Sequence, residues 1–89
     1  MEKRPFDIIV YGATGFTGKL VVEYLLKHYG LKNDLFNWAI AGRSLKKLEK
    51  LKIDLSEEYI EAKDIKIFVA DSFDKESIEK LSKSAKVII

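Results

Sequence analysis

The residues best placed to do chemistry in this chain are three glycines, Gly12, Gly15 and Gly18. An apolar run ending at Tyr11 precedes them and an amphipathic run starting near Lys19 follows. That order feeds a strand into a helix through a turn able to hold a diphosphate. Gly12 frees the turn, because a residue without Cβ reaches positive φ at little cost. Gly15 keeps open the space through which a diphosphate approaches the main chain. Gly18 lets the helix lie close to the first strand. The helix opens with N–H groups that have no carbonyl behind them and with the positive end of its dipole. Thr14, Phe16 and Thr17 complete the loop and first turn and count as candidate binding residues with the glycines. A glycine-rich turn without a ligand is the competing explanation. The context on both sides speaks against it, as does the absence of Asp or Glu at Phe16, Thr17 and Lys19. The first two glycines stand one residue further apart than in G-x-G-x-x-G. That longer loop is typical of short-chain and epimerase-like nucleotide-binding enzymes.

A second constellation, Ala41-Gly42-Arg43-Ser44, follows the second apolar run. A dinucleotide site selective for NAD places Asp or Glu there to bind the ribose hydroxyls. This chain has no acid until Glu49. Arg43 offers a planar fork suited to phosphate oxygens, and Ser44 adds a hydroxyl at a helix start. Lys46 and Lys47 are near enough in sequence to assist. The expected cofactor is therefore NADP(H), with NAD(H) the weaker candidate. A surface arginine followed by a plain capping serine is the other reading of the same residues. A third pair, Asp71 and Ser72, follows the third apolar run, where a carboxylate can accept from an adenine amine. A turn or cap aspartate is an equal alternative there.

The elements that must position these groups alternate. Phe6–Tyr11 is apolar, as suits a strand covered on both faces. A helix is predicted over 16–29, with Leu20, Val21, Tyr24, Leu25 and His28 on one face and Gly30 as its left-handed stop. A polar connection spans 31–37, a buried strand 38–41. Ser44 is predicted to cap a helix carrying Leu45, Leu48 and Leu51. That helix continues, or restarts near Asp54 and Ser56, with Tyr59 and Ile60 packing inward. A third strand is expected over 65–70. Asp74 caps a third helix carrying Ile78 and Leu81, and a fourth strand begins at Lys86. Short connections and right-handed crossovers dictate a Rossmann-like, doubly wound parallel sheet in strand order 3-2-1-4, with the ligand crevice at the carboxyl ends of strands 1 and 4.

Bulk properties exclude several function classes. Eighty-nine residues, 47% hydrophobic and 34% charged, fit one ordinary globular domain. A net charge of +2 is too small to argue for nucleic acid. Without cysteine there is no disulfide and no thiol nucleophile, and His28 alone builds no metal site. No secretory signal is evident, and no apolar run approaches the roughly 18 residues of a membrane span. The expectation is an intracellular, cytoplasmic protein with no nucleic-acid partner and no membrane contact encoded in these residues. Ending on Val87-Ile88-Ile89, inside an apolar run, the chain reads as the N-terminal NAD(P)-binding piece (1–89) of a longer protein.

The run from Phe6 through Gly18, then Trp38 through Ser44 and Lys47-Leu48, resembles the N-terminus of the saccharopine dehydrogenase-like oxidoreductases. The Gly-Phe-Thr-Gly and Ala-Gly-Arg-Ser elements carry the resemblance, which covers essentially the whole chain. It implies a parent of about four hundred residues in which a missing domain holds a small-molecule substrate. True saccharopine dehydrogenases make or cleave a secondary amine with NAD(P). The resemblance to the "like" branch implies no settled substrate, and for animal members an association with lipid droplets and membranes through features outside these residues. Two functions remain open at this level: the cofactor domain of an oxidoreductase, or a non-catalytic NADP(H)-binding sensor or scaffold. No proton donor or substrate-binding pair is identified in the chain, so no residue is assigned as catalytic.

Overall fold

Every residue of Trp38–Gly42 is buried, which requires a strand covered on both faces. The computed structural model of the chain describes residues 6–71 and 73–89. Its elements are β1 (Phe6–Tyr11), α1 (Phe16–His28), β2 (Trp38–Gly42), α2 (Leu45–Ser56), a 3₁₀ turn (Ile60–Asp64), β3 (Lys66–Val69), α3 (Lys75–Ser84) and β4 (Ala85–Ile88). All strand pairs are parallel, in the order β3-β2-β1-β4. The expected Rossmann-like sheet is therefore the one observed. Register is set by pairs such as Val10 with Ile40 and Ile40 with Ile67.

The two faces of the sheet bury different sets. On one, Val10, Trp38 and Ile40 meet Val22, Leu25 and Leu26 of α1 and Leu48, Leu51 and Leu55 of α2. On the other, Ile9, Ala39 and Ala41 meet Leu81 at α3 and Ala85. Small residues on β2 let α3 and its flanking chain approach closely. Leu25 is buried. Leu25→Ala should destabilise the domain by about 2–5 kcal/mol, read from denaturant melts. A loss below about 1 kcal/mol would mean the helix does not rest on that side chain.

The face of α1 differs from the expected one. Leu20 and Tyr24 are 51% and 55% exposed, and His28 is exposed with its ring 4.3 Å from that of Tyr24. Val22 and Leu26 are buried instead. The reason lies in Gly18. It must face the sheet, and residues four, seven and eight further on share its side of a helix: Val22, Leu25 and Leu26.

The segment after α2 corrects a second expectation. α2 runs unbroken to Ser56, and the chain then tightens into the 3₁₀ turn. With three residues per turn, Tyr59, Ala62 and Ile65 point the same way. Ala62 and Ile65 are buried and Tyr59 packs on the core, while Ile60 is 72% exposed. In α3, Asp74 caps as expected, its carboxylate accepting from the N–H of Glu76 at 3.1 Å and the hydroxyl of Ser77 at 3.1 Å. Ile78, expected inward, is exposed, and Leu81 alone in that helix is buried.

Two polar ties hold the far end of the sheet. The Asp7 and Asn37 side chains each accept from the other's main-chain N–H, at 3.0 and 2.7 Å, and Lys86 lies 3.2 Å from the Asp7 carboxylate. The Asn37 N–H, and then Lys86, hold the Asp7 carboxyl below its ordinary range. This ties the starts of β1, β2 and β4 together. At the exit of α1, Gly30 takes a φ of 75° and its carbonyl accepts from the Trp38 indole and the Asn33 amide, both at 3.1 Å.

Candidate functional site

The carboxyl ends of β1 and β2 open into a crevice of about 440 Å³, on the opposite side of β1 from the β1–β4 position expected from the sequence. Tyr11, Gly12, Thr14, Gly15, Gly42, Arg43, Ser44 and Lys47 line it. The two constellations read from the sequence thus form one site. A shared carbonyl locks their spacing: the N–H groups of Gly12 and Ala13 both donate to Ala41, at 2.9 and 3.2 Å. These bonds join the Gly12 turn to the end of β2 just before Arg43.

Each glycine of the loop does a separate job. Gly12 has a φ of 73°, and a Cβ there would meet nothing within 4 Å, so conformation alone requires glycine. Gly18 is the reverse: a Cβ would stand 2.8 Å from the carbonyl carbon of Gly12 and 2.9 Å from the Cα of Ala13. Helix α1 rests directly on the turn, backbone to backbone. Gly15, at φ −76° and ψ 167°, has a conformation open to any residue. A Cβ there would touch only the Gly12 carbonyl, at 3.2 Å. Its glycine leaves bare backbone on the crevice wall.

The electrostatics suit an anion. Gly15 caps α1 without a side-chain hydrogen bond, and the first turn carries no acid. α2 likewise has no acid in its first turn. α3 does, at Glu76. The two helices whose N-termini reach the crevice are thus the α-helices without a carboxylate there, so their dipoles remain uncompensated. Arg43 is exposed at the rim. The Ser44 oxygen accepts from the N–H of Lys47 at 3.3 Å as the α2 cap. Its own proton stays free to be donated, so capping and ligand binding are compatible.

The remaining candidates fall around this crevice. Phe16 and Thr17 are exposed on the first turn of α1, beside the loop, and Gly18 is half-buried beneath it. Asp71 follows β3 and its carboxylate accepts from the Phe73 N–H at 3.0 Å, a local turn bond. Tyr11 reaches the same corner, its hydroxyl donating to the Ala70 carbonyl at 3.3 Å. Ser72 lies outside the described residues. Sequence reasoning left out Tyr11 as a lining residue. Its position before the first glycine, at the end of a strand, was the available signal. Among the described residues no His, Asp and Glu cluster could hold a metal ion, and no helix is long and apolar enough to cross a membrane.

A parallel sheet with a glycine loop under a helix N-terminus and a basic corner on the next strand defines a dinucleotide-binding domain. The family model described as the saccharopine dehydrogenase NADP binding domain matches residues 8–89, and the chain belongs to that family. Its cofactor is accordingly NADP(H). A lipid droplet localized protein of Caenorhabditis elegans is 39% identical, over 94% of this chain and 20% of its own length. A trans-acting enoyl reductase of Mycobacterium leprae is 36% identical, over 99% of this chain and 19% of its own. A saccharopine dehydrogenase-like oxidoreductase of Homo sapiens is 32% identical, over 99% and 22%. The chain spans about a fifth of the length of these relatives.

Proposed function

We propose that this chain is the cofactor-binding part of a longer oxidoreductase, which transfers hydride between NADP(H) and a small molecule held by a further domain. The observation that carries the reading is the single crevice shared by the Gly12–Gly15 loop and the Arg43–Ser44 corner. The loop and the N-terminus of α1 bind the diphosphate. Arg43 and Ser44 take the 2′-phosphate, and the β3 exit at Asp71 borders the adenine. The cofactor, when bound, supplies the hydride chemistry. The residues of this chain hold and orient it. Relatives named as a reductase and an oxidoreductase support hydride transfer, and their length supports a substrate domain outside these residues. The name of the worm relative supports an intracellular parent that associates with lipid droplets through segments elsewhere.

The test uses the full-length protein with NADPH deuterated at the transferred position, and candidate carbonyl, imine and enoyl substrates. Deuterium appearing in a product establishes the reaction. Tight NADPH binding with no transfer to any substrate class would favour a sensor or scaffold. Gly15→Val provides the control for the site. It should abolish binding by filling the diphosphate space, while changing the melting temperature by only a few degrees. Retained affinity in that variant would remove the loop from the account.

A further inference from the structure

Lys47 lines the crevice beside Arg43, Ser44, Thr14 and Gly15, whereas its neighbour Lys46 does not. The start of α2 explains the difference. With Ser44 as N-cap, Lys47 is the third helical residue, and its N–H is held by the Ser44 oxygen at 3.3 Å. Lys46 lies about 100° round the helix from it. Lys47 also borders an adjoining depression with Thr14, Lys19, Lys50, Leu51 and Asp54, so it faces the Thr14 loop from the first turn of α2. Among the described residues the one ion pair joins Lys86 to Asp7, so the Lys47 ammonium is not committed to a carboxylate.

A phosphate monoester presents three terminal oxygens and is largely dianionic near neutral pH, its second pKa being about 6. The flat guanidinium of Arg43 can engage two of those oxygens at once. The third is left for a compact cation on a flexible stem. We propose that Lys47 is the second cationic determinant of selectivity for the 2′-phosphorylated dinucleotide, pairing with the oxygen that Arg43 leaves. The assignment rests on Arg43 and Ser44 forming the 2′-phosphate seat.

The experiment titrates the full-length protein and its Lys47→Gln, Lys47→Arg, Lys46→Gln and Arg43→Ala variants with NADP⁺, NAD⁺ and 2′,5′-ADP by calorimetry. Lys47→Gln should weaken NADP⁺ and 2′,5′-ADP about five- to tenfold and leave NAD⁺ within about twofold. Lys47→Arg should restore most of the loss, and Lys46→Gln should change nothing. Equal losses for NADP⁺ and NAD⁺ would place Lys47 on the diphosphate and overturn the proposal. So would an unchanged NADP⁺ affinity while Arg43→Ala still loses it. If neither variant weakens NADP⁺, the seat itself is misassigned and Lys47 falls with it.

Discussion

Gly18→Ala, the addition of one methyl group, is expected to destabilise the domain by about 3 kcal/mol or more, the upper end of overpacking costs. In a domain this size that lowers the melting temperature by at least about 12 °C. The obstruction is backbone: the new Cβ would stand 2.8 Å from the Gly12 carbonyl carbon and 2.9 Å from the Ala13 Cα. No rotamer relieves it. Either α1 lifts off the turn, uncovering Val22, Leu25 and Leu26, or the loop shifts and pulls Gly12 from its bond to Ala41. Cofactor affinity should fall with stability, because the N-terminus of α1 moves in both cases. Gly15→Ala is the matched comparison, with a single 3.2 Å contact to accommodate and an expected cost below about 1 kcal/mol. Thermal melts of the two variants decide the matter. Equal melting temperatures would mean that α1 does not rest on the turn as described.

Arg43→Ala should lower NADP⁺ affinity by about one to two decades and leave NAD⁺ affinity little changed. A hydrogen bond to a charged group contributes roughly 1.5–3 kcal/mol, which is that range in affinity. Arg43 is exposed, so truncating it removes little packing from the fold. Calorimetric titration of both cofactors against both proteins reads the difference. Parallel losses would move Arg43 to a part of the cofactor common to NAD and NADP. No loss in either would make it a surface arginine.

Strand order and the composition of the crevice were legible because both rest on local spacing. Three glycines between an apolar and an amphipathic run can be read in seven residues, and short connections leave few ways to arrange the strands. The buried face of α1 was read in part: Leu25 is buried and Val21 packs on the core as expected, whereas Leu20, Tyr24 and His28 are exposed. Leu20, Val21, Val22, Tyr24, Leu25 and Leu26 surround most of the helix, so periodicity alone does not set the phase. Gly18 does set it: a glycine that must face the strand requires Val22, Leu25 and Leu26 to face it too. Ile60 departed for a different reason, whereas Tyr59 packs on the core as expected. The turn there has three residues per repeat, and an α-helical count over-rotates it. Asp71 kept two roles open because a carboxylate after a strand serves a turn or a ligand equally well, and the structure spends one of its oxygens on the Phe73 N–H.

Trp38 is the only tryptophan of the chain, fully buried, with its N–H engaged on the Gly30 carbonyl. It stands at the entrance of β2, whereas the crevice lies at the exit of that strand, about 13 Å away along the chain. Within these 89 residues Trp38 is therefore an optical gauge of the core. Indole emission follows exposure of the core without the ring ever touching the cofactor. A red shift in a variant signals loss of fold. Weakened binding with unshifted emission signals damage confined to the crevice. In a protein whose only tryptophan is Trp38, one fluorescence titration separates the two failures that substitutions around the loop otherwise confound.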